Sequence, residues 1–196
     1  AEIADPKKPK IIETLTSVYG IGAKTAQILA EKGVKSKSDL KKPDIYKTLP
    51  EGTKLHLRYK VLDEISWDIV HSLLSQFPPY VIGVGSYRRK KQKLHDIDVL
   101  TFKPIETTIA DIKSRAREMD PRTEEYPYKV LGDYSSGEQK HSFVVKYKTS
   151  IVRVDVFYAA AAEKPYALLH YTGSRNFNIR IRAVAKKKGY KLNQHG

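Results

Sequence analysis

The segments Asp96-Ile-Asp-Val-Leu100 and Ile151-Val-Arg-Val-Asp-Val-Phe-Tyr158 constrain the fold of this chain more than any other feature. Each alternates apolar and polar positions with the period of two that belongs to a β-strand. In the first, Asp96 and Asp98 share one face while Ile97 and Val99 share the other. In the second, Val152, Val154 and Val156 form a core face, with Arg153 and Asp155 opposite. Two carboxylates on one strand face repel by roughly 4 kcal/mol at ~4 Å and an effective dielectric near 20. A divalent cation between them removes that cost. Oxygen-only ligands suit Mg²⁺, which keeps waters and substrate phosphates in its shell. If the two strands lie side by side, Asp96, Asp98 and Asp155 converge, and two metals about 4 Å apart then suit an in-line phosphoryl transfer.

An isolated Asp-x-Asp is more often a pair of solvent-facing acids. Here an apolar strand at 80–84 runs into Gly85-Ser86, and Arg88 and Arg89 follow before the acidic pair. Such a turn offers backbone N–H groups, a hydroxyl and guanidinium donors to a triphosphate. The charge points the same way: 36 Lys and Arg against 22 Asp and Glu leave +14, with a pI near 9.7. An excess of that size favours a polyanionic partner, nucleic acid first, over a membrane or an acidic protein. No apolar run approaches the roughly 18 residues that suggest a membrane span. The N-terminus, AEIADPKKPK, lacks the apolar centre of a secretory signal. The absence of cysteine excludes disulfides and thiol chemistry and fits a reducing compartment.

Along the chain, residues 1–10 read as a loose, Lys- and Pro-rich lead-in. From 11 to 65 the pattern is that of short helices punctuated by Gly20, Gly22, Gly33, Pro43, Pro50 and Gly52. A helix with spacing from Ile65 to Phe77 stops at Pro78-Pro79. Strands are expected at 80–84, 96–102, 142–147 and 151–158. A helix is expected at 105–119, then a loop through Pro121, Pro127 and Gly137. After Ala159 the pattern is helical again, with 177–188 capped by Gly189.

In the N-terminal part, Gly20-Ile21-Gly22 makes a tight turn, and the helix opening at Ala23-Lys24 offers unpaired N–H groups. Those donors and the helix dipole suit a phosphate, with Lys24 adding charge and Ile21 anchoring the turn. A plain αα-hairpin, in which glycine only lets the chain reverse, fits the local pattern equally well.

Taken together, the residues 15–33, with Asp39-Leu40, resemble the helix-hairpin-helix of DNA repair enzymes, a motif that grips the DNA backbone. Hairpins of that kind also hold a monovalent cation, Na⁺ or K⁺, at positions matched here by Thr16, Val18 and Ile21. The Gly85-Ser86 turn, Asp96-x-Asp98 and Asp155 resemble the nucleotidyltransferases related to DNA polymerase beta. Tyr171-Thr-Gly-Ser174, Asn178, Arg182 and Gly189-Tyr190 resemble the nucleotide-binding helices of family X DNA polymerases. The runs 163–173 and 186–193 are similar to the compact viral form of that family.

The resemblance implies an α+β fold in three parts. These are a helix-hairpin-helix subdomain (1–66), a mixed β-sheet nucleotidyltransferase palm with flanking helices (67–160), and a short helical nucleotide-binding subdomain (161–196), incomplete at its end. It implies a DNA-directed DNA polymerase that adds deoxynucleotides to a primer 3′-hydroxyl with two Mg²⁺ ions, or Mn²⁺ in their place, at short gaps in DNA repair. Asp96 and Asp98 would bind both metals, and Asp155 the one beside the primer terminus, oriented by Arg153. Ser86, Arg89 and the His95 position would meet the triphosphate, Tyr171 and Gly173 the sugar, Asn178 the base or sugar edge, and Arg182 the template strand. Gly20, Ile21, Gly22 and Lys24 would hold DNA.

Some positions depart from the family. His95 stands where many relatives have glycine, His170 replaces a tyrosine, and Arg175 replaces an acidic residue. Against the family pattern this sequence reads as an abbreviated polymerase or as a piece of a longer one, without the N-terminal lyase domain and the β-rich end of the last subdomain, and deoxyribose-phosphate lyase activity is not expected of it. Template-independent terminal transfer and a non-catalytic DNA-binding scaffold are the alternative readings. The expected partners are gapped or primer-template DNA and deoxynucleoside triphosphates, with no membrane, and the chain is expected to act as a monomer inside the cell. Lys7-Lys8-Pro9-Lys10 is a nuclear signal or a solvated lead-in, which leaves nucleus and cytoplasm (a viral factory included) both open.

Overall fold

A computed structural model describes residues 8–196, which form two compact units divided between Lys60 and Val61. The expected lead-in is shorter than residue 10. Helix α1 (Lys8–Thr16) already includes Pro9, which a first helical turn tolerates because its missing N–H would be unpaired there. The remaining lead-in positions, Lys7 among them, lie outside the described residues.

The N-terminal unit is helical: α1, α2 (Ala23–Glu31), a 3₁₀ turn (Ser38–Lys41), α3 (Pro43–Tyr46) and α4 (Glu51–Arg58). Gly22, extended, precedes α2 directly. The helices bury Leu15, Val18, Ile21, Ala26, Leu29, Val34, Leu40 and Leu49 in one small core. The Asp39 carboxylate accepts the amides of Lys35 and Ser36 and fixes the bend after α2.

The C-terminal unit contains, in order, β1 (Ile65–Ser66), α5 (Trp67–Leu74), β2 (Ile82–Gly83), α6 (Gly85–Arg88), β3 (Lys93–Leu94), β4 (Ile97–Thr101), α7 (Ile105–Arg115), β5 (Lys129–Ser135), β6 (Lys140–Tyr147), β7 (Ser150–Tyr158), α8 (Lys164–Thr172) and α9 (Arg175–Lys187). Five strands form a mixed sheet in the order β2-β4-β7-β6-β5. Only the central β4–β7 pair is parallel. On one face, Ile97, Val99, Val152, Val154, Val156, Phe143 and Val145 pack against Val70, Leu73 and Phe77 and against Ile105, Ile109 and Ile112. Each such side chain contributes roughly 1.5–3 kcal/mol by burial. A slip of one residue in β7 would trade its three core valines for Arg153 and Asp155, so burial pins the register. The opposite face carries the acids, and there Leu100 and Val84 pack on Ala167 of α8.

The architecture is the expected α+β fold, and several local expectations are corrected. The strand expected at 80–84 is paired only at Ile82–Gly83, and Gly85-Ser86 opens a short helix rather than a simple turn. Ile65 lies in a strand ahead of α5, and α7 ends at Arg115. Part of the expected loop after Pro127 is strand β5. Helix α9 starts at Arg175, where the Ser174 hydroxyl accepts the Phe177 amide. Its C-terminus is closed as expected, with Gly189 at φ +81 and the Tyr190 amide donating to the Ala185 carbonyl.

Candidate active site

Parallel pairing of β4 and β7 sets Asp98 directly beside Asp155. Asp96 precedes β4 on the same face, and one oxygen from each of the three carboxylates lies within 4.8 Å of the others. This is the only such acidic or histidine cluster among the described residues. Asp155 is nearly fully buried, and its Oδ1 accepts no hydrogen bond from the described residues. Its Oδ2 accepts Arg153 Nη2 at 3.0 Å and lies 3.4 Å from Lys140 Nζ. Burial, then the charges of Asp96 and Asp155, raise the Asp98 carboxyl to about 7, against the opposing pull of Lys140 and Arg153. Three crowded oxygen donors, one orphaned in the interior, fit a hard divalent cation, which satisfies all three at once.

Helix α6 is pressed against this cluster. The Val84 amide donates to the Asp98 carbonyl at 2.9 Å, and a Cβ on Gly85 would stand 2.5 Å from Asp98 Oδ2. Gly85 also has φ +59, so the position excludes side chains on two grounds.

Beside the acids, a cleft of about 530 Å³ brings together Ser86, Arg89, Asp96, Asp98, Tyr171, Gly173, Asn178 and Arg182. Tyr171 stacks on Phe157, with ring centres 4.7 Å apart. Arg89 Nη1 donates to the Thr172 carbonyl, which ties α6 to the end of α8 next to Gly173. His170 links the other members. Its carbonyl accepts Asn178 Nδ2 at 2.8 Å, and its Nδ1 lies 3.0 Å from Arg182 Nη2. Burial, then the charges of Arg182 and His195, lower the His170 pKa, so the neutral ring accepts from the guanidinium.

His95 is not brought into the cleft; its Nδ1 lies 3.0 Å from the Asp63 carbonyl. Phe157 and Lys140 belong to the site without having been singled out in the sequence. Phe157 follows Asp155 by two residues on the same strand face, a signal the alternation already contained. Lys140 reaches Asp155 across strands, which no local pattern reveals.

In the N-terminal unit, the Val18 carbonyl accepts the Ile21 amide at 3.1 Å and closes the glycine turn. Gly20 has φ +78, and Lys24 is exposed in the first turn of α2.

Sheet order, the carboxylate cluster and the adjoining cleft define a nucleotidyltransferase of the polymerase kind. Residues 167–196 match the DNA polymerase beta thumb model. The chain is 36% identical over 151 residues to Repair DNA polymerase X of African swine fever virus, an alignment covering 76% of this chain and 80% of that protein. It is 26% identical over 203 residues to DNA polymerase lambda of Rattus norvegicus, covering 94% of this chain and 34% of that one. A crystal structure of Leishmania infantum polymerase beta, a ternary P/T complex, superposes with a TM-score of 0.71 at 22% identity, covering 97% of this chain and 79% of that one, and shares its fold. The chain belongs to the family X DNA polymerases and is a DNA-directed DNA polymerase.

Proposed function

We propose that the chain fills short gaps in DNA repair, extending a primer 3′-hydroxyl with deoxynucleoside triphosphates at the Asp96, Asp98 and Asp155 centre. The observation that carries this reading is the convergence of three carboxylates, one of them buried, beside a cleft lined by Ser86, Arg89, Tyr171, Asn178 and Arg182. In the reaction the primer oxygen forms a bond to the α-phosphorus in line, the bond to the bridging oxygen breaks, and pyrophosphate leaves. Catalysis is mainly positioning and charge neutralisation.

Asp96 and Asp98 would hold two Mg²⁺ ions, or Mn²⁺ in their place, and Asp155 would share the one nearest the primer terminus. Bound there, the metal supplies charge neutralisation at the leaving phosphate and a lowered pKa for the attacking hydroxyl. Arg153 orients Asp155 by its hydrogen bond. The Ser86 hydroxyl and the N–H groups of Arg89 left over from the Thr172 carbonyl hold the triphosphate. Tyr171, backed by Phe157, and the backbone at Gly173 form the floor under the sugar. Asn178 and Arg182, gathered by His170, face the base and the template strand. The hairpin at Gly20-Ile21-Gly22, with Lys24, grips duplex backbone without reading sequence. With its boundary at Lys60 rather than 66, the helical unit would serve as DNA grip, 67–160 as palm and 161–196 as nucleotide-binding lobe.

Substitution of Asp155→Ala tests the central assignment. Primer extension should fall by about three orders of magnitude, because the acid would hold the metal that activates the attacking hydroxyl. Binding to primer-template DNA, measured by fluorescence anisotropy, should stay within about threefold. Equal loss of binding and extension would make Asp155 a structural residue.

A further inference from the structure

Asp155 faces two cations as well as two acids. Arg153 approaches its Oδ2 from the same strand, and Lys140 approaches the same oxygen from β6 at 3.4 Å. The antiparallel register sets Lys140 opposite Phe157, and its ammonium lies 5.2 Å from the centre of that ring. The two cations differ in kind. Arg153 is a planar fork held over the Tyr134 ring at 5.6 Å, whereas Lys140 is a point charge on a flexible stem. The Lys140 side chain is 47% exposed and the Asp155 side chain 4%, so this cation enters a buried site from the solvent side.

Three ionised carboxylates with an oxygen of each within 4.8 Å of the others need counter-charge, since buried charged acids left without it are strongly disfavoured. Arg153 lies over the Tyr134 ring, while the Lys140 side chain is about half exposed and reaches Asp155 from the solvent side. We propose that Lys140 is the resident counter-ion of the carboxylate cluster, occupying Asp155 Oδ2 in the metal-free enzyme and competing with the divalent ion for the site. The inference rests on reading the three acids as the metal centre. Lys140 then does two opposed things. It keeps Asp155 oriented before the metal arrives, and it holds metal affinity below what three bare carboxylates would reach.

The competition has a sign that a merely structural lysine would not produce: removing the charge tightens metal binding. Lys140→Met keeps an unbranched apolar stem over Phe157 and removes the ammonium; Lys140→Gln is a second neutral variant, and Lys140→Arg keeps the charge. Binding of Mn²⁺ to the full chain, followed by electron paramagnetic resonance at low ionic strength, should tighten by about threefold or more in both neutral variants. The difference should shrink at high salt, and the arginine variant should match wild type. Equal or weaker Mn²⁺ binding in folded Lys140→Met and Lys140→Gln would overturn the proposal. Asp155→Ala is the companion measurement. If it leaves wild-type Mn²⁺ binding unchanged, the metal-centre reading itself fails; if it weakens binding while the neutral lysine variants do nothing, only the role of Lys140 fails.

Discussion

At Gly85 a backbone requirement and a catalytic one coincide. The residue sits at φ +59, where side chains are disfavoured, and its Cα faces Asp98 so closely that a Cβ would stand 2.5 Å from the carboxylate oxygen. Gly85→Ala should therefore cost roughly 1–3 kcal/mol in stability. It should also weaken Mn²⁺ binding by about tenfold through displacement of Asp98. Thermal unfolding and metal titration check both, and wild-type values in each would show that the close approach does not matter. Asp98 makes the site pH-dependent. Its pKa is raised from 3.8 to about 7, chiefly by burial and then by Asp96 and Asp155. Between about pH 4 and pH 7 the folded chain holds a proton that the unfolded chain has released, so metal-free stability falls as pH rises through that window. Divalent ions compete with the same proton. Apparent Mn²⁺ affinity should rise from pH 6 to pH 8 and flatten above, and an affinity independent of pH across that range would contradict the assignment. At this scale the acids were legible because alternation is a local rule. The lysine and phenylalanine that complete their surroundings were read less well, since Lys140 meets Asp155 only through the β6–β7 register.

The elements differ in how plainly their sequences announce them. Strand β7 has three valines on one face and a burial pattern to match. Strand β5 has Gly132 and Asp133 in its middle, ends at Ser135, and its register with β6 shifts twice. It is an edge strand with both faces half-buried, so neither alternation nor β-propensity marks it. Helix α6 is four residues long, too short for any periodic signal, and its position is set by Gly85 packing on Asp98. The glycine hairpin of the N-terminal unit was legible as a turn, and the packing that holds it was not. A Cβ on Gly20 would stand 2.4 Å from Thr53 Oγ1, a buried hydroxyl that makes no hydrogen bond among the described residues. The turn is thus seated directly against α4. Gly20→Ala should destabilise this unit by roughly 1–3 kcal/mol. Hydrogen exchange should then quicken at the amides of 23–31 and 51–58, and unchanged protection in both segments would mean the turn is not seated as described.

For the molecule as a whole, the charge of +14, the glycine hairpin and the carboxylate cleft all suit a polyanionic substrate. Family membership rests on the 36% identity to the viral relative, an alignment that covers 76% of this chain and 80% of that protein. What the sequence could not display is the convergence itself. Asp98 and Asp155 are separated by more than fifty positions, and only the parallel β4–β7 pairing makes them neighbours. The most direct test is primer extension on a single-nucleotide-gapped duplex with Mg²⁺ and each deoxynucleotide in turn, at low ionic strength where a basic protein holds DNA best. The account predicts incorporation of the complementary nucleotide and its loss in Asp155→Ala. Tight DNA binding with no incorporation, or incorporation undiminished without Asp155, would contradict it.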